Sequence, residues 1–203
     1  MNTEIGFKSN QGLNSLEFTL FTNSYDNLLG ADTAASGGGS DELFNGGAVD
    51  ISGFELYLRR ILVDNGRIQM PLELSWTSTN SEFQESFDGF WGEVSKGDEL
   101  PYLPDTMIAL NLGLNVDKLS ANISMKKTSE MRTVAGSGRI AKSNATDELT
   151  IIDLGLRYAL QDNIRLSVGI NNFMDDDGIA ARRPYGARPT MPRSFSLGVD
   201  YTF

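Results

Sequence analysis

From Arg193 to Phe203 the chain alternates without a break. Phe195, Leu197, Val199, Tyr201 and Phe203 fall on one side, and Ser194, Ser196, Gly198, Asp200 and Thr202 on the other. Successive side chains of a strand point to opposite faces, so this period of two predicts a strand with one apolar and one polar face.

The same period recurs upstream and predicts nine strands in all. Residues 4–8 send Ile5 and Phe7 outward, and residues 13–23 send out Leu16, Phe18, Leu20 and Thr22. Residues 47–62 show Phe54, Leu56 and Leu58, with Gly53 as a candidate bulge. Residues 67–78 show Ile68, Met70, Leu72, Leu74 and Trp76, although Pro71 is foreign to a central strand and points to a local irregularity. The fifth to eighth strands are expected at 106–116, 118–127, 149–160 and 163–173, and the ninth at 193–203. Glu17, Glu55, Arg59, Glu73, Asp153, Arg157, Arg165 and Asp200 fall on the polar face. No window carries an apolar stripe at helical spacing.

Connections alternate in length. Short turns follow the odd strands, among them Asn65-Gly66, a hairpin dipeptide. Long segments near 24–46, 79–105, 128–147 and 174–192 follow the even ones. Long loops are unusual in a compact domain. An outer-membrane barrel has both features, with short periplasmic turns, long outer loops and a polar interior. The expected fold is therefore all-β, an antiparallel up-and-down transmembrane β-barrel in contact with lipid. With the turns at the periplasm, the first and ninth strands run the same way. Single-chain bacterial barrels have even strand numbers, so nine implies further strands upstream. Residues 1–203 are then the carboxy-terminal portion of a larger barrel, an open partial barrel of about nine strands. Two alternatives stay open: a complete small barrel of eight or ten strands, adhesin-like or porin-like, and a soluble all-β binding module with two facing sheets.

Composition narrows the chemistry. The 203 residues include no Cys and no His, which removes disulfides, thiolate metal sites and His-based catalysis. The expectation is no enzyme, no catalytic residue, no metal and no cofactor. A net charge of −10 argues against nucleic acid. No run of about 20 apolar residues exists for a helical span. Met1-Asn2-Thr3-Glu4 leads straight into strand pattern with no signal-peptide core, as expected of a mature or shortened form.

The tail is more specific. Gly169-Ile170-Asn171-Asn172-Phe173-Met174-Asp175, then Arg182-Arg183-Pro184-Tyr185-Gly186-Ala187-Arg188-Pro189, Pro192-Arg193-Ser194-Phe195 and the final Phe203 resemble the last strands of TonB-dependent outer-membrane receptors. Glu4-Ile5-Gly6-Phe7-Lys8, Asn45-Gly46-Gly47-Ala48 with Gly53-Phe54-Glu55-Leu56, and Tyr102-Leu103-Pro104-Asp105 follow the same family's order. The tail is most similar to ferric dicitrate-type receptors. The resemblance implies a 22-stranded barrel around a plug. It implies a receptor in the Gram-negative outer membrane that imports a ferric chelate, a siderophore or citrate-like ligand, or a similar scarce nutrient. Its expected partners are the lipid bilayer and lipopolysaccharide, the ligand, and the missing plug and upstream strands. The TonB complex would be reached only through the absent amino-terminal part.

Arg182, Arg183 and Arg188 stand in the last outer loop. They are candidate contacts to an anionic chelate, because guanidinium pairs bidentately with carboxylate. Pairing with Asp175, Asp176 and Asp177 or with lipopolysaccharide phosphates would equally explain them. The three aspartates lack the ligand spacing of a calcium loop. Residues 36–40 lack the Lys of a phosphate loop and read as a loop tip. Trp76, Tyr158, Tyr201 and Phe203 are expected at the membrane interface. The resemblance adds that Phe203 is a terminal assembly signal.

Overall fold

The computed structural model describes residues 1–27, 29–31, 43–89, 92–182 and 186–203. One nine-stranded antiparallel sheet dominates, with neighbours in chain order. Its strands are Asn2–Gln11, Asn14–Tyr25, Val49–Asp64, Ile68–Phe83, Thr106–Val116, Leu119–Thr128, Leu149–Gln161, Ile164–Asn171 and Ser194–Tyr201. The first and ninth stand at the two edges and do not meet, so the sheet is open. Among the described residues there is no α-helix, only a short 3-10 turn at Lys142–Asn144.

Register aligns the expected faces. Leu72, Leu112, Ile123, Leu154, Ile170 and Phe195 form one row across six strands. Leu114, Ala121, Leu156, Val168 and Leu197 form the next. No second layer covers this face among the described residues, and Leu197 is 85% exposed. Apolar side chains left bare over a whole sheet need a non-aqueous neighbour. Neither the closed small barrel nor the two-layer module fits this open single sheet.

Three details correct the sequence reading. The fourth strand is longer than expected, the third is shifted by two residues, and they run as a pair out to Val49 opposite Phe83. Trp76 is therefore mid-strand, where the outward face turns from Leu74 to Ser78, with its ring 4.9 Å edge-on from Phe54. Gly53 is not a bulge, because its pairing with Phe21 and Thr79 is continuous. A Cβ there would lie 2.0 Å from the Ser78 carbonyl oxygen and 2.9 Å from the Phe21 ring, so glycine serves a close approach. The register shift lies instead between Ile61 and Val63, opposite Pro71. A residue without an N–H cannot hold a regular ladder, and the facing strand bulges around it.

The fully buried apolar core lies at the loop end of the sheet, away from its middle. Val49, Phe83 and Val94 form it, with Ile51, Phe87, Leu100 and Ala135 against them. Short ribbons decorate the same end: Leu29–Ala31 with Leu43–Asn45, Phe87–Gly89 with Gly92–Val94, and Ile179–Ala181 with Arg188–Pro189.

Candidate functional site

Two surfaces carry chemistry, the polar face of the sheet and the knitted loop end. On the polar face, Lys8 meets Glu17 at 2.5 Å and Arg59 meets Glu73 at 3.5 Å across neighbouring strands. Alternation forces these side chains inward together, and cross-strand pairs of opposite charge follow from the register. Toward strands seven to nine, serines lie over glycines of the neighbouring strand on this face. Ser167 Oγ lies 2.5 Å from where a Gly198 Cβ would be, and Ser196 Oγ 2.6 Å from that of Gly169.

At the loop end, Arg132 is 6% exposed and joins two loops. Its Nε donates to Glu99 Oε2 at 2.8 Å, Nη2 stands 2.7 Å from the same oxygen in an ion pair, and Nη2 donates to the Gly138 carbonyl. The Tyr102 amide donates to the Arg132 carbonyl at 2.8 Å. A buried guanidinium holds its place only when its donors are used in this way. Asp105, at the mouth of the fifth strand, feels the same cluster. Partial burial and then the Glu99 charge push its carboxyl up, and Arg132 pulls it back.

The loop between strands eight and nine is anchored by Asn172, which is 3% exposed with φ at 51°. Its amide N–H donates to Asp153 Oδ1 at 2.8 Å. Its Nδ2 donates to the carbonyls of Asp176 and Met191, and its Oδ1 accepts from the Asp176 amide. Asn tolerates the left-handed region better than most side chains, and here it replaces a lost ladder with side-chain hydrogen bonds. Asp176 accepts from the amides of Thr150 and Gly178, and Asp175 from that of Arg193. Asp176 is thus committed to backbone, and Asp175 to the amide and the guanidinium of Arg193.

Of the three candidate arginines, Arg182 donates through Nε to the Ala145 carbonyl and through Nη2 to the Lys142 carbonyl, the latter at 2.9 Å. It ties the last loop to the loop between strands six and seven. Arg188 is exposed, and Arg183 lies outside the described residues, as do residues 36–40. Tyr158 sits near the turn end beside Leu119 and Leu166. Tyr201 ends the ninth strand with its ring 5.0 Å edge-on from Phe203.

Sequence reasoning missed Arg132, whose only signal was a lone cation inside a long loop, and the anchoring role of the second Asn in Asn171-Asn172. The three arginines drew attention instead because they stand close together in sequence.

A family model described as TonB dependent receptor-like, beta-barrel, matches residues 1–173. No curated protein matches the chain in sequence. Among solved structures, the ferric-catecholate import receptor Fiu from E. coli K12, in its closed form, superposes with a TM-score of 0.74 at 19% identity over 100% of this chain and 27% of that one. The ferric yersiniabactin uptake receptor FyuA from Yersinia pestis gives 0.74 at 15% identity over 100% and 29%. The copper transporter OprC gives 0.67 at 18% identity over 100% and 31%. At these identities the likeness is one of fold, and the chain spans between a quarter and a third of each structure.

Proposed function

The chain belongs to the TonB-dependent receptor β-barrel family, and on that footing we propose that its nine strands are the carboxy-terminal wall segment of an outer-membrane receptor importing a ferric chelate. The observation that carries this reading is the single open sheet with one largely apolar face and one charged or hydroxylated face. Lipid satisfies the first face and a water-filled or plugged lumen the second. Both edges must be closed by further strands, because unpaired backbone in hydrocarbon costs several kcal/mol per group. The carboxy-terminal placement draws on the tail motifs.

The wall acts passively. It excludes lipid from the lumen, and the loop end gives the ligand a firm mouth. Short turns face the periplasm and long loops the outside. Among the tail arginines, exposed Arg188 is the one we assign to chelate contact, while Arg182 ties two loops together through backbone carbonyls. The cargo is proposed at the level of ferric chelate; Fiu and FyuA are both described as carrying one. The plug and any TonB contact would reside in the remainder of the receptor. The test is iron-limited growth with ferric siderophores as the sole iron source, with and without the gene. Loss of growth on a particular chelate supports the reading. Unchanged growth and unchanged chelate binding by isolated outer membranes contradict it.

A further inference from the structure

The outward face is not uniform along its height. The first strand offers only Ile5 and Phe7 before Ser9 and Gln11. The second offers Leu20, Phe18 and Leu16 before Asn14, and the third Phe54, Leu56 and Leu58 before Arg60. The fourth runs through five outward apolar residues, Trp76 to Ile68. At about 3.3 Å per residue, three alternate positions cover roughly 13 Å of strand and five roughly 26 Å. The apolar band is thus cut short on the first two strands, at their turn ends, and on the third Arg60 interrupts it before Val63 resumes it opposite Met70.

A cavity opens where it is cut. Ser9, Leu16 and Leu58 lie in one register row, Gln11 faces Asn14 in the next, and Arg60 follows the Ser15–Arg59 pair. The short Ser9 leaves a cavity of about 390 Å³ with Phe7, Leu16 and Leu58 on its apolar side and Gln11, Asn14 and Arg60 on its polar side. Arg59 is paired inward with Glu73. Arg60 points to the other face and has no hydrogen-bond or ion-pair partner among the described residues. An unpaired guanidinium beside hydrocarbon is expensive unless it reaches a polar layer.

We propose that the cavity holds one anionic phospholipid of the turn-side leaflet, its phosphate on Arg60 and its first acyl carbons among Phe7, Leu16 and Leu58. This rests on the wall reading. Charge and shape agree: the cavity is apolar toward the membrane centre and cationic toward the turns, as a lipid is apolar in its tail and anionic in its head. Guanidinium grips phosphate through two parallel N–H donors.

The experiment is native mass spectrometry of the full receptor in detergent, titrated with phosphatidylglycerol and separately with phosphatidylcholine. The wild type should retain phosphatidylglycerol about fivefold better, the factor that roughly one kcal/mol per surface Arg gives. Arg60→Gln should abolish the preference and Arg60→Lys keep part of it. Ser9→Leu, which fills the cavity without touching the charge, should lower retention as well. Unchanged preference in Arg60→Gln overturns the lipid site and leaves the wall reading intact. A receptor that stays monodisperse without detergent and binds neither lipid overturns both.

Discussion

Pro71 and Gly113 face each other on adjacent strands and share one space: a Cβ on Gly113 would lie 2.8 Å from Pro71 Cγ. Between them they explain how a proline survives in the middle of a sheet. On one side the third strand bulges between Ile61 and Val63, and the Asn14 side chain accepts the Ile61 N–H at 2.9 Å. On the other side the ring lies over a residue with no side chain.

Gly113→Ala should therefore cost about 1–3 kcal/mol, the usual penalty for overpacking. Gly113→Val should cost more. In a Pro71→Ala background the Gly113→Ala cost should fall to near zero, because the clash is with the ring. Urea unfolding in detergent, run as a double-mutant cycle, measures the difference.

Asn172→Ala should destabilise the last loop by about 3 kcal/mol. It strips three side-chain hydrogen bonds and leaves a Cβ residue at positive φ. Asn172→Asp keeps the Oδ1 acceptor but not the donors and should fall in between. Proteolysis rates within residues 172–193 report the opening of this loop.

The nine strands were legible because a period of two is a local property. Each strand could be read from its own ten residues, and the loop asymmetry gave the two ends. What pins the loops was not legible. Arg132 reaches Glu99 across 33 positions, and Arg182 reaches Ala145 across 37. Only the folded sheet brings those loops side by side. Phe83 looked like loop because alternation fades after Ser78, yet the strand continues and buries it against Val49 and Val94. The tail arginines were picked by charge and spacing. Asn172, the residue that organises their loop, is uncharged and gave no comparable signal.

Arg132→Met should loosen two loops together, costing about 3 kcal/mol and leaving Glu99 unpaired. Arg67→Ala at the turn end should cost less than about 1 kcal/mol. Its 3.0 Å pair with Asp117 is solvent-exposed on both sides, so side-chain entropy and screening offset most of the attraction. Thermal melting of the two variants separates them.

Asp105 gives a pH dependence with a definite sign. Its carboxyl is pushed up in the folded state, first by partial burial and then by Glu99. A raised carboxyl favours the folded state while protonated. That contribution is complete below the unfolded value and is lost as pH rises through the raised one. Asp105→Asn should remove this slope, so the variant gains on the wild type as pH rises through that window. Unfolding midpoints across the acid range check it; parallel curves for the two proteins would show that Asp105 does not titrate in this way.

The central claim is that lipid touches one face of the sheet and water the other. The chain has no native Cys, so single-cysteine labels are unambiguous. Spin labels at Ile123 and Leu156 should collide with membrane-dissolved oxygen and be shielded from a water-soluble nickel reagent. Labels at the neighbouring Ser124 and Arg157 should show the reverse order of accessibility. The same accessibility at both faces, or labels at Ile123 and Leu156 open to the nickel reagent, would contradict the wall.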